Sequence, residues 1–194
     1  MRRFLSCLAA AILSVASSSP SAQAQNWSQR ATTLSDSLTN EVVRRLRNDF
    51  RQCGELLNVY RYDCYSKSYR NAAIKLSGIP DYGPAHDALR LVETRIVAVI
   101  DANLDPTRPA LRQGFRSFDA VTEAALPEVK RETLRAMEDA QTILLRSPSA
   151  SQQTHFARIA AVIDSNKVLL RSALLKLGHG VTQFAGLLGL KRTY

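Results

Sequence analysis

Two cysteines, Cys53 and Cys64, have the spacing that most directly predicts chemistry in this chain. Redox-active pairs are usually spaced Cys-x-x-Cys, whereas ten residues separate these two. A zinc site would need further ligands, and none lies near in the sequence. The spacing suits two helices joined by a short turn. We therefore expect a structural disulfide that connects the first two helices and contributes about 3 kcal/mol through loop closure.

Arginines recur at helical spacing in two segments, and each set is a candidate anion site. They are Arg44, Arg47 and Arg51 in the first segment, and Arg108, Arg112 and Arg116 in the second, if that segment is helical. The guanidinium group binds phosphate or carboxylate through two hydrogen bonds. The alternative interpretation is ordinary solubilising charge.

Three tyrosines recur at helical spacing in the second expected helix, with three basic residues beside them. The tyrosines are Tyr62, Tyr65 and Tyr69, and the basic residues are Arg61, Lys67 and Arg70. Aromatic rings next to cations can stack on sugars or bases and hold anions. In the alternative interpretation the rings form a packed stripe whose hydroxyl groups reach the edge of the core. We favour the packed stripe.

The sequence contains none of the common catalytic or cofactor motifs. It has no His-Glu-x-x-His, no Gly-x-Ser-x-Gly, no Walker loop and no Cys-x-x-Cys-His. The three histidines, His86, His155 and His179, each stand alone. We therefore predict a protein that is not an enzyme and holds no metal or cofactor.

The first 24 residues have the order of a signal peptide. Two arginines precede the apolar run 4–15, and an Ala-x-Ala site follows at Ala22-Gln23-Ala24. The run has 12 residues, fewer than the roughly 20 that a membrane-spanning helix needs. We therefore expect cleavage between Ala24 and Gln25 and export to the periplasm, with retention as an anchor as the alternative.

The composition is basic, with 26 Lys+Arg against 17 Asp+Glu and a formal net charge of +9. The leader holds two of the basic residues and no acidic ones, so its removal leaves 24 − 17 = +7. It also removes Cys7, so that one pair of cysteines remains. A basic protein attracts anions, which in an envelope are lipid phosphates, lipopolysaccharide, wall polymers and acidic protein surfaces. Export makes nucleic acid an unexpected partner.

Apolar residues recur with the period of an α-helix along most of the chain. We expect five helices. The first three lie at about 34–53, 60–76 and 84–100. The fourth starts between Thr122 and Glu128 and ends before Ser147, and the fifth starts at Ser149 or Ser151 and is stopped by Gly178. Segment 104–122 contains two prolines and a glycine, and is expected to hold a short helix that carries Leu111, Phe115 and Phe118. The fold class is all-α: an antiparallel bundle of about five helices with a disulfide-stapled first hairpin.

These elements divide the chain into four parts. They are the leader 1–24, a lead-in 25–33, the bundle domain 34–177, and an apolar, glycine-containing tail 178–194. Apolar residues followed by Lys191 and Arg192 suit an interfacial segment. Docking of the tail on a membrane, on a partner or on its own bundle are open alternatives.

The segment from Cys53 to Cys64, with Tyr60-Arg61-Tyr62-Asp63 inside it, resembles secreted helical proteins of alphaproteobacteria. The resemblance covers the first two helices and implies no activity. From the leader, the charge and the missing motifs, we predict an exported binding or adaptor protein that acts on an anionic envelope component or a protein partner. A periplasmic chaperone or assembly factor, and an enzyme or cofactor carrier with an unrecognised site, are the alternatives.

Overall fold

A computed structural model describes residues 33–146 and 149–187, with side chains up to residue 172. Within this part the chain forms five α-helices and one β-hairpin. The helices are α1 (Asp36–Gly54), α2 (Asn58–Leu76), α3 (Gly83–Asp101), α4 (Leu126–Arg146) and α5 (Ala150–Leu187). The predicted all-α fold is confirmed. The leader 1–24 and the cleavage site after Ala24 lie outside the described residues.

The helices pack in chain order, and α5 also packs on α1, which closes the bundle. Successive helices run antiparallel. Because there are five helices in this part of the chain, α1 and α5, which close the bundle, run parallel. Arg158 of α5 binds Asp36 at the start of α1, with Nη1 2.7 Å from Oδ1. Further along both helices, Phe50 of α1 and Leu170 of α5 line the same groove.

Helix α1 is buried along one stripe, as predicted. Ser35 caps its start, where Ser35 Oγ accepts a hydrogen bond from the Leu38 N–H at 3.1 Å. The stripe consists of Val42, Leu46, Phe50 and Cys53, all at most 1% exposed. The predicted Cys53–Cys64 disulfide is confirmed, with the Cα atoms 5.5 Å apart, a separation within the usual range.

The prediction of a short helix in segment 104–122 is wrong, because this segment contains a β-hairpin. Strand β1 (Leu111–Gln113) pairs antiparallel with β2 (Arg116–Phe118). The two-residue connection begins with Gly114 at φ +58°, the left-handed conformation that tight hairpin turns need and that glycine adopts without strain. Phe118 is 1% exposed and anchors the hairpin in the core.

Helix α5 extends past the boundary expected at Gly178 and reaches Leu187, a length of 38 residues. The extension contains Gly178, Gly180 and Gly186. Each glycine within a helix costs only about 1 kcal/mol relative to alanine, so Gly178 alone does not end it. The predicted border between domain 34–177 and tail 178–194 therefore falls inside a helix. Residues 188–194 lie outside the described part of the chain.

Helix α2 is buried on two opposite sides. Its inner side places Tyr65, Tyr69 and Ala72 in the core. On its outer side, Asp63 and Lys67 hold the hairpin. Between residues 59 and 69 of α2, only Arg61 and Lys67 are not buried, in contrast to the one-sided α1.

The Asp63 carboxylate attaches the hairpin to α2. Its Oδ2 accepts hydrogen bonds from Lys67 Nζ at 2.5 Å and from the backbone N–H of Asp119 at 2.8 Å. Lys67 Nζ also donates to the carbonyl oxygen of Ser117 at 2.6 Å. The Asp63 side chain is 7% exposed, so its charge depends on these donors for its stabilisation.

We predict that Asp63→Ala lowers the free energy of unfolding by about 2 kcal/mol, because Lys67 and the Asp119 N–H lose their buried acceptor. Urea denaturation measures this change. The matched control is Glu138→Ala, which removes the exposed salt bridge to Arg171 and should cost less than about 1 kcal/mol. Equal losses in the two variants would refute the anchoring role of Asp63.

Candidate functional site

A groove opens where the end of α1, the start of α2 and one side of α5 meet. Its volume is about 440 Å³. Four lining residues, Gly54, Glu55, Asn58 and Arg61, belong to the loop that the disulfide closes. The covalent bond therefore restrains one wall of the groove, while α5 supplies the opposite wall.

The floor of the groove is apolar and aromatic. The rings of Phe50 and Tyr65 are stacked, with centroids 3.9 Å apart and an interplanar angle of 14°. Leu169 and Leu170 of α5 line the other side. Leu170 is buried, whereas Leu169 is 55% exposed. An apolar group of a ligand has a surface to bury here.

Arg61 lies in the wall of the groove with much of its hydrogen-bonding capacity unused. Its Nη2 donates to the carbonyl oxygen of Leu56 at 2.9 Å. Its Nε is buried and has no hydrogen-bond partner among the described residues. A buried donor without an acceptor is unfavourable, so an anion bound to this guanidinium would gain an already desolvated and positioned partner.

Tyr65 brings a neutral hydroxyl donor to the same groove. Burial raises the pKa of the Tyr65 phenol well above its ordinary value, and the neighbouring Arg61 charge opposes this only in part. Its hydroxyl forms no hydrogen bond within the part of the chain that the structure describes. At neutral pH the phenol is therefore protonated and free to donate to an acceptor.

The first predicted arginine stripe lies on the surface and leads to the groove. Arg44, Arg47 and Arg51 are all exposed on α1, and Arg51 lines the groove. Arg51 Nη2 donates to Asn48 Oδ1 at 2.9 Å. None of the three forms a salt bridge with a described residue, so their charge remains available to an outside anion.

The second predicted stripe does not form, because its arginines lie on a hairpin instead of a helix. Arg108 binds Asp105 and Glu123, at 3.2 and 2.8 Å. Arg116 lies over the Phe118 ring, 5.2 Å from its centroid. Arg112 is exposed on β1. The three side chains therefore do not share one face.

The tyrosine face is mostly core. Tyr62, Tyr65 and Tyr69 are 7%, 3% and 0% exposed, which agrees with the packed-stripe interpretation. Arg70 lies apart from the groove and pairs with Glu93 of α3 at 4.0 Å. Of this set, Tyr65 alone lines the groove.

The two histidines with described side chains take part in hydrogen bonds away from the groove. His155 Nδ1 lies 2.7 Å from Thr39 Oγ1, which also lies 2.6 Å from Tyr82 Oη. His86 lies against its neighbour Asp87. Within residues 33–146 and 149–172, no group of three or more His, Cys, Asp or Glu side chains is placed to hold a metal ion.

None of the helices, over the residues the structure describes, is both long and apolar enough to cross a membrane. No family model, no curated protein and no solved structure matches this chain.

Burial also gives the tyrosine stripe a pH dependence. It raises the pKa of Tyr62 to about 12, against the opposing charge of Arg61. The unfolded phenol ionises near pH 10, so between about pH 10 and 12 the folded state retains a proton that the unfolded state has lost. The stabilisation is complete below this window and is lost as the pH rises through it.

We predict that Tyr62→Phe removes a decrease of roughly 2 kcal/mol in the free energy of unfolding between about pH 10 and 12. Urea denaturation at several alkaline pH values measures this difference. Parallel losses of stability in the wild type and the variant would contradict the role of Tyr62.

Proposed function

We propose that this is an exported, non-enzymatic binding protein whose groove holds an anionic group of an envelope component or a protein partner. The observation that carries the proposal is the convergence of Arg51, Arg61 and the Tyr65 hydroxyl on a groove with an apolar floor. The anion would bind the guanidinium groups and the phenol, and an adjoining apolar group would pack beside Leu169.

The charge of the groove supports an anionic ligand. Two arginines and one carboxylate, Glu55, line it, and Arg44 and Arg47 extend the positive potential along α1. The paired N–H groups of an arginine guanidinium match the spacing of two oxygens of a phosphate or carboxylate. Because most of these charges are exposed, binding should weaken as salt increases.

The disulfide supports both the binding role and the proposed export. A wall restrained by the Cys53–Cys64 bond loses little freedom when a ligand binds, which favours affinity. Structural disulfides persist in oxidising compartments such as the periplasm. The signal-like residues 1–24 and the +7 charge of the chain after their removal point to the same compartment.

The lining side chains favour binding over catalysis. The described residues around the groove provide cations, hydroxyl donors and apolar surface, with Glu55 as the single carboxylate. This set can hold an anion, but it lacks the pair of nucleophile and adjacent base that covalent catalysis uses. The proposed role is therefore recognition.

We predict that the protein binds dodecyl phosphate, used below its micellar concentration, and does not bind dodecyl trimethylammonium. Both probes carry the same apolar chain, so the difference isolates the charge. Arg61→Gln should weaken binding about tenfold, the value of one charge-assisted hydrogen bond. Isothermal titration calorimetry measures the affinities.

The matched control is Arg95→Gln, which removes an exposed arginine that pairs with Asp139 between α3 and α4. It should leave the affinity unchanged. The proposal is wrong if the cationic probe binds equally well, or if the two arginine variants lose the same affinity.

A further inference from the structure

The β-hairpin presents an aromatic side chain at its tip. Phe115 occupies the second position of the turn between β1 and β2 and is fully exposed, more so than any other large apolar side chain in the described chain. The fold does not use this ring, since Phe118 provides the hairpin's buried aromatic contact. The exposed ring offers apolar surface whose burial against a partner would be favourable.

The surroundings of Phe115 are cationic. Residues 106–118 contain three arginines and no acidic residue. Arg108 is neutralised at the base of the hairpin by Asp105 and Glu123. Arg112 and Arg116, on either side of the tip, form no salt bridge with a described residue. Arg112 is exposed, whereas Arg116 is half-buried, with its guanidinium over the Phe118 ring and its Nη2 buried. The tip is therefore an apolar ring beside one exposed and one half-buried positive charge.

The hairpin is held firmly at its base. Tyr60 Oη of α2 donates to the carbonyl oxygen of Pro109 at 3.0 Å, and Asp63 accepts from the Asp119 N–H. Lys67 donates to the Ser117 carbonyl oxygen and lies over the Phe118 ring. These contacts are on the outer side of α2, whereas the groove is on the side toward α1 and α5.

We propose that the hairpin tip is a membrane anchor, which inserts Phe115 into the interface of an anionic lipid bilayer while the exposed Arg112 binds lipid phosphates and the half-buried Arg116 adds positive charge. A single protruding ring needs no preformed pocket in a bilayer, whose interface accommodates aromatic side chains. The two cations beside it match the negative surface potential of anionic lipids. The combination of apolar insertion and cationic attraction is that of interfacial binding.

Co-sedimentation of the exported protein with vesicles tests this anchor. We expect binding to phosphatidylglycerol vesicles, weaker binding at high salt, and little binding to phosphatidylcholine vesicles. Phe115→Ser should lower the partition coefficient about tenfold, and Arg112→Gln about fivefold. The matched control is Ile74→Ser, because Ile74 is 57% exposed at the other end of α2, and it should bind like the wild type.

Insertion of the tip has a separate spectroscopic readout. The chain contains one tryptophan, Trp27, so Phe115→Trp in a Trp27→Phe background reports on the hairpin alone. Its emission should shift to the blue with phosphatidylglycerol vesicles. Absence of that shift, or equal binding of the wild type and Phe115→Ser, overturns the proposal. The emission shift reports on the hairpin alone and calorimetry with dodecyl phosphate reports on the groove, so that failure of the anchor and failure of the groove are distinguishable.

Discussion

The structure depends on how two adjacent residues hold α2 from two directions. Cys64 joins α2 covalently to α1, and Asp63 binds the hairpin through the Asp119 N–H and Lys67. Successive residues of a helix point about 100° apart, so neighbours in sequence serve different elements. The disulfide restrains the wall that carries Arg61, and the carboxylate fixes the base of the hairpin that carries Phe115. The groove and the hairpin tip, which have different proposed partners, are thus positioned by different sides of the same turn of α2.

Much of the fold could be predicted from the sequence because most helices are covered on one side. The apolar stripes of α1 and α4 mark their buried faces, and periodicity needs no further information there. The prediction for segment 104–122 was wrong because the structure of this segment depends on distant residues. Phe118 packs on α2, and Asp119 donates to Asp63, 56 residues away. The local spacing of residues does not indicate these contacts, although Gly114 did indicate a break in the helical pattern.

The groove could be predicted only in part, for the same reason. Arg51 and Tyr65 belonged to two separate predicted sets, and the fold brings them together at one site. Arg61 was predicted only as one of the cations beside the tyrosine stripe, because its importance comes from its place in the groove opposite Leu169 and Leu170 of α5. Its place inside the Cys53–Cys64 loop was a second available signal. Tyr62 and Tyr69 shared helical spacing with Tyr65, but spacing does not tell which ring of a buried stripe reaches the surface.

Mapping of backbone amide chemical shifts by NMR during titration with dodecyl phosphate tests the central claim most directly, since it locates the bound anion without a substitution. The account predicts that the largest shifts occur at residues 50–65 and 168–172, with little change at the opposite end of the bundle around Tyr82 and His155. Shifts that cluster elsewhere, or no shifts at concentrations that saturate binding, would contradict the assignment of the groove as the binding site.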